Sequence, residues 1–289
     1  MQFIITTESN AEIPLSWVRQ WEIPFMRMPY IIDDVTYEYD LGEHIDILSF
    51  YGELRKGKIP TTVLRNTEEY RAFFLPILEQ GQDILHVAFS SAMSGSFHCA
   101  TLAAEELRAQ FPARQLVLVD TLAICMAAGV LVGCAARMRD EGKSLTEVAE
   151  WLEANKLRAQ AFATVNDLFH LKRGGRVTGT AALMGTVLDI KPILRINAAG
   201  QLIPEGKVTG RKKAIRYLVE QLEANGENLA EQEVFIMHGD CLEDAQYLEK
   251  LVQERCAPKA VVVQLVGPVI GTHAGPGVLA LIFMGKPRT

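Results

Sequence analysis

Apolar positions along this chain fall into short runs that alternate with longer amphipathic segments. Asp83 to Phe89 reads Asp-Ile-Leu-His-Val-Ala-Phe, a β-rich run of strand length, and predicts a buried parallel strand. The polar turn Ser90-Ser91-Ala92-Met93-Ser94-Gly95-Ser96 follows, and an amphipathic helix starts at Phe97 and runs to Gln110. The same alternation precedes this unit. It predicts a strand over Phe3–Thr7, the turn Glu8-Ser9-Asn10, a helix from Pro14 to Trp21 and a second strand over Pro24–Ile32. A polar loop or hairpin over Asp33–Gly42 and a helix over Ile45–Arg55 come next. Ile59-Pro60-Thr61-Thr62-Val63 then leads to a helix that Asn66 and Glu69 open as a capping box. Beyond Gln110, Gln115–Asp120 reads as a strand and Leu122–Glu141 as a long helix, and Ser144 with Glu147 caps one more helix.

Strands and helices alternating through short turns predict an α/β fold with a mostly parallel sheet covered on both faces. Ligands of such sheets sit beyond the carboxyl ends of the strands, so Thr7–Asn10, Ser90–Ser96 and Asp120-Thr121 are expected on one rim. The second half changes character. Ala159–Thr164 reads as a strand, Asp167–Leu171 as a short helix, Lys172–Arg176 as a basic glycine-bearing turn and Thr178–Leu188 as a helix. Pro192–Asn197 and Gln201–Lys207 form a hairpin pattern about Ala198-Ala199-Gly200, and a helix follows over Arg211–Asn225. Val234–His238, Leu242–Arg255 and Ala260–Val266 give a β-α-β unit, and the strand Val278–Met284 ends the pattern. Hairpins mixed with helices predict an α+β unit, with the boundary near residue 157, giving domains 1–157 and 158–289 that pack firmly.

Composition narrows the function. With 289 residues, 49% hydrophobic and 22% charged, the chain reads as an ordinary globular protein. Its formal charge of −6 argues against a nucleic-acid face. No signal-like n-region opens it, and its longest apolar stretch, Leu122–Ala136, is too short to span a bilayer. The five cysteines lack CxxC spacing and read as buried free thiols of a cytoplasmic protein.

Three turns could carry chemistry. Unpaired N–H groups, the helix dipole and hydroxyls meet at Ser90–Ser96, a corner that suits an anion or that simply caps a helix. His273 lies in Gly271-Thr272-His273-Ala274-Gly275-Pro276-Gly277, read as exposed and rigid backbone, where it could donate to an anion or shuttle a proton, or be incidental to a turn. Arg173 and Arg176 flank two glycines and could clamp an anion or a partner's acidic surface, or form a solvated turn. Thr61 and Thr62 add two hydroxyls before a helix. A hydrolase using Ser94 and His273 is the rival reading. However, Gly-x-Ser-x-Gly is absent around Ser94, and only Asp120 offers itself as a third member. No HExxH, no paired metal spacing and no P-loop occur, so no metal, no cofactor and no self-sufficient nucleotide chemistry are expected.

Five stretches in order resemble the DegV family, the fatty-acid-binding subunits of bacterial fatty acid kinase. Thr7–Pro14 resembles the family's T-D-S-T-A-D-L-P, Ser90–Ser96 its S-S-x-L-S-G-T and Arg173–Val177 its R-G-G-R-I. Ile190–Leu194 matches I-K-P-I-L, and Ile270–Gly277 matches I-G-T-H-x-G-P-G. The resemblance implies a Rossmann-like N-terminal domain, an α+β C-terminal domain and a long-chain fatty acid buried in a tunnel of the first. Carried over by motif, Thr62, Ser94, Gly95 and His273 are expected at the carboxylate, with Arg176 and His273 on the side of a partner kinase that brings ATP. No catalytic residue is implied in this chain, and a transient membrane contact is compatible with lipid exchange. Where the family has T-S-Q-P-S, this chain reads Thr62-Val63-Leu64-Arg65-Asn66, and Glu8, Asn10 and Ser96 also depart from its motifs. A buried carboxylate needs hydroxyl and N–H donors, and each methylene removed from water contributes about 0.8 kcal/mol, so a dry tunnel with a polar end suffices for such a ligand. An acyl-lipid sensor acting without a kinase is the third reading.

Overall fold

The computed structural model describes residues 3–166, 168–177 and 189–289. Its first half contains β1 (Ile4–Glu8), α1 (Leu15–Trp21), β2 (Phe25–Met26), β3 (Met28–Ile32), β4 (Val35–Tyr39), α2 (Ile47–Arg55) and β5 (Thr61–Thr62). Next come α3 (Thr67–Glu79), β6 (Ile84–Ala88), α4 (Ser96–Gln110), β7 (Leu116–Asp120), α5 (Met126–Asp140) and α6 (Leu145–Asn155). The second half holds β8 (Ala159–Thr164), α7 (Phe169–Gly174), β9 (Ile190–Ile196), β10 (Leu202–Thr209), α8 (Arg211–Asn225), β11 (Glu233–His238), α9 (Leu242–Cys256), β12 (Ala260–Leu265), α10 (Pro268–Ala274) and β13 (Leu279–Met284). The helix expected over Thr178–Leu188 lies outside the described residues.

β6 is buried along its whole length and occupies the middle of a four-stranded parallel sheet of order β2-β1-β6-β7. Its apolar run faces covering helices on both sides, as a central parallel strand requires. Both expected capping boxes form, Asn66 with Glu69 on α3 and Ser144 with Glu147 on α6. The expected hairpin is β9-β10, and β11-α9-β12 is the expected parallel unit. These strands join β8 and β13 in a six-stranded mixed sheet of order β10-β9-β8-β13-β11-β12. This sheet has two apolar faces. Phe162 and Phe283 stack on one face beneath α8 and α9, with ring centroids 6.2 Å apart. Ala161, Ala163, Ala280 and Ile282 point the other way, in register as Ala280↔Ala163 and Ile282↔Ala161. The alternation follows from the period of two along a strand.

Three expectations are corrected. The single strand over Pro24–Ile32 is two strands in two sheets, since β2 continues the parallel sheet and β3 anchors a three-stranded sheet of order β4-β3-β5. The long helix starts at Met126, not Leu122. Leu122 and Cys125 take positive φ values of 50° and 53°, so the intervening chain runs as irregular backbone beside the rim. Of the five cysteines, Cys125 is buried and Cys99, Cys134, Cys241 and Cys256 are half-buried; all are free thiols. Among the described residues, no helix is long and apolar enough to cross a membrane.

The two halves are joined by buried polar contacts. Glu12 accepts from the Tyr39 hydroxyl at 2.8 Å and from the Gly267 N–H at 3.1 Å. Gln264 donates to the Glu12 carbonyl at 3.0 Å, and Tyr51 donates to the Val266 carbonyl at 2.9 Å.

Candidate functional site

The strand-end turns gather on one rim, as parallel topology dictates. Glu8, at the end of β1, is buried and accepts from the Tyr70 hydroxyl and from the Phe89 N–H at 2.9 Å, tying β1 to the end of β6. Asp120, at the end of β7, accepts from Ser91 N–H at 3.2 Å and from Leu122 N–H at 3.0 Å. The serine turn is thereby fixed between two strand ends. Within it, Ser94 Oγ accepts from Ser96 N–H at 3.2 Å and donates to Ser96 Oγ at 3.0 Å. Ser94 therefore does order the start of α4, as the capping reading expects.

Thr62 reaches this rim from β5, which pairs with β3 of the small sheet. Its Oγ1 lies 2.8 Å from His273 Nε2. His273 sits in the last turn of α10 and is largely buried, which corrects the expectation of exposed loop backbone. Burial, and then the charges of Arg176 and Arg173, pull its pKa down to about 4. At neutral pH the ring is uncharged, so it acts through a hydrogen bond and not as a cation. Its Nδ1 has no partner and faces Gly174, where an added Cβ would stand 2.2 Å away. Only a glycine leaves the ring that space.

Thr62, Ser94, Gly95, Arg176 and His273 line one cavity of about 220 Å³. The rest of its wall is apolar apart from Asn10. Met28, Val63, Leu64, Phe89, Met93, Ile124 and Cys125 come from the first half. Ala161, Ala163, Leu194, Leu202, Ala280 and Ile282 come from the six-stranded sheet, and Val269, Ile270 and Ala274 from α10. Both halves therefore wall this cavity. A polar cleft of about 320 Å³ adjoins it, lined by Ser91, Ala92, Gly175 and Gln201 and sharing Met93, Ser94, Gly95, Arg176 and Leu202 with it. Arg173 lies outside both, over the Phe169 ring at 5.2 Å and 3.3 Å from His170 Nδ1.

Ser94 and His273 are not paired with each other. Ser94 bonds Ser96, His273 bonds Thr62, and Asp120 is engaged by backbone N–H groups. Among the described residues, no three or more His, Cys, Asp or Glu side chains gather as they would to hold a metal ion. Sequence reasoning placed Asn10 on the rim without singling it out, and missed the wall given by the second sheet. The alternation of small residues in Ala161, Ala163 and Val165 was the available signal for that wall.

A parallel-sheet unit and a mixed-sheet unit thus enclose a largely apolar cavity with a polar end at Thr62, Ser94, Gly95, Arg176 and His273. The chain belongs to the DegV family. The family model, described as "Uncharacterised protein, DegV family", matches residues 2–286. A DegV domain-containing protein of Clostridium perfringens is 39% identical over 287 residues, covering 99% of each chain. A DegV family protein from Thermus thermophilus, described for its fatty acid binding, superposes with a TM-score of 0.89 at 26% identity, over 99% of this chain and 100% of that one. DegV of Bacillus subtilis, a fatty acid binding protein, gives a TM-score of 0.85 at 27% identity, over 99% and 100% of the two chains.

Proposed function

We propose that this chain binds one long-chain fatty acid, with its hydrocarbon in the cavity and its carboxylate at Thr62, Ser94, Gly95 and His273. The carrying observation is that these residues and Arg176 line one cavity whose wall is otherwise apolar apart from Asn10, although they come from β5, the β6–α4 turn, α10 and the segment after α7. A carboxylate there receives hydroxyl and N–H donors near the start of α4, and burial of the alkyl chain supplies the affinity. The solved relatives described as fatty-acid binders support this reading.

The finer proposal is presentation to a partner. Ser94, Gly95 and Arg176 border both the cavity and the polar cleft, so a carboxyl held there is reachable from the cleft. A kinase subunit carrying ATP would phosphorylate it in place, giving an acyl phosphate. Residues 1–157 and 158–289 act in this reading as two walls of the carrier. Mass spectrometry of lipid extracted from the purified chain tests the first step, with a stoichiometric fatty acid expected. An empty protein that hydrolyses short esters, with that activity lost in Ser94→Ala, would overturn it. Arg176→Ala should keep the lipid and lose acyl-phosphate formation with a cognate kinase. Loss of lipid instead would move Arg176 to the head group.

A further inference from the structure

We propose that the cavity carries a second polar subsite at Asn10, and that it suits a long-chain fatty acid bearing a hydroxyl on its hydrocarbon chain. The inference rests on the fatty-acid reading above and narrows its ligand.

Asn10 lies in the one-turn helix Ser9–Ala11 that follows β1. It is only 3% exposed, yet it lines the cavity, and its Oδ1 has no hydrogen-bond partner. Its position is fixed from both sides. Ser9 Oγ accepts from Met28 N–H at 2.9 Å, and Glu12 N–H donates to the Ser9 carbonyl at 3.1 Å. Glu12 is in turn clamped by Tyr39 and Gly267. These bonds fix the backbone that presents the Asn10 side chain to the cavity. Neither Thr62, bonded to His273, nor Ser94, bonded to Ser96, donates to Asn10. The remaining wall, including Met28, Ile124, Cys125 and Val269, is apolar.

A buried acceptor left alone carries a desolvation cost, and a ligand that meets it gains roughly tenfold in affinity. The unmet atom is an acceptor, so the ligand must bring a donor. A methylene has none, a ketone has none and an ionised carboxylate has none. A hydroxyl donates to Oδ1 and can accept from the amide N–H groups in return. Asn10 is thus distinct in chemistry from the carboxylate site, which offers donors.

The test uses the delipidated full chain and displacement of a fluorescent fatty acid. The competitors are stearic acid, hydroxystearic acids substituted near the carboxyl, in mid-chain and near the methyl end, and the matching oxostearic acids. One hydroxy isomer should compete about tenfold better than stearic acid, its oxo counterpart, which can only accept from the amide N–H groups, should gain less, and Asn10→Leu should abolish the preference. If every hydroxy isomer merely equals stearic acid, a trapped water satisfies Asn10 and the inference falls. It also falls if the preference survives in Asn10→Leu. Should that variant not fold, the hydroxy and oxo pair on the unaltered chain decides, and equal competition overturns the subsite. Stearic acid binding without a hydroxyl preference sinks the subsite alone, whereas failure of every acid to bind sinks the fatty-acid reading with it.

Discussion

His273 and Glu12 are both buried titratable groups, and burial acts on them in opposite directions. The imidazole loses its cation, with its pKa near 4 against an ordinary 6.5, while the carboxyl keeps its proton, pushed up to about 8 from 4.5. The folded chain therefore binds fewer protons than the unfolded chain at His273, and that contribution to stability is lost as pH falls from 6.5 towards 4. At Glu12 the folded chain binds more, and the contribution present below 4.5 is lost as pH rises through 8. Between pH 7 and pH 5 each amounts to about 2 kcal/mol, with opposite sign, so the unaltered protein should show a shallow dependence. Urea unfolding at the two values should find Glu12→Gln more stable at the higher pH and His273→Gln more stable at the lower one. Parallel slopes in the two variants would contradict the assignment. Ser94 is a different case, because its hydroxyl already serves the helix start. Ser94→Ala should leave the fold intact and weaken fatty-acid retention by about 1.5–3 kcal/mol, read from ligand occupancy. That Thr62, Ser94, Gly95, Arg176 and His273 face one cavity was legible because motif letters carried them. Asn10 was not, since an amide in a turn looks like ordinary turn chemistry until its lack of a partner is seen.

Elements were legible where period and caps agreed, as at β6, α3, α6 and the β9-β10 hairpin. They were misread where an apolar run could serve two purposes. Phe25 to Ile32 is apolar enough for one strand, but Arg27 separates a parallel edge from an antiparallel one, a choice made by tertiary partners. Leu122 to Cys125 has helical composition, yet Thr121 donates to the Ala88 carbonyl at 2.7 Å and Arg288 to the Leu122 carbonyl at 2.6 Å. Those bonds hold the segment as irregular backbone and turn Ile124 and Cys125 to the cavity. The junction of α7 and α10 is a further element-scale constraint. Gly174 ends α7 against the His273 ring, and its φ is compatible with any residue, so the constraint is one of space alone. Gly174→Ala should therefore fold, push His273 off Thr62 and lower fatty-acid affinity by about tenfold or more. An unchanged dissociation constant would show that the Thr62–His273 bond is idle in binding.

At the scale of the whole molecule, the sequence announced two kinds of unit, while the cavity between them is a product of their packing. Its floor consists of Ala161, Ala163, Ala280 and Ile282, small or apolar residues that any strand could carry, and only the register of β8 with β13 makes them a wall. A ligand that occupies such a cavity touches both halves and binds the folded chain alone. Its free energy of binding is then added to that of folding, by about 2.7 kcal/mol when the free ligand stands at 100 times its dissociation constant. For a chain of this size that corresponds to a rise in Tm of roughly 4–5 °C. Removing lipid on a hydrophobic resin and measuring the melting transition before and after adding back oleic or stearic acid reads this directly. The shift should be restored by either acid's carboxylate form and be smaller in Ser94→Ala, whose head-group contact is reduced. It should be smaller with the corresponding alkane, which fills the apolar wall but brings nothing to Thr62, Ser94, Gly95 and His273. An equal shift with the alkane would mean that the polar end contributes nothing to retention, and the site would then be an apolar cavity whose hydroxyls only cap α4.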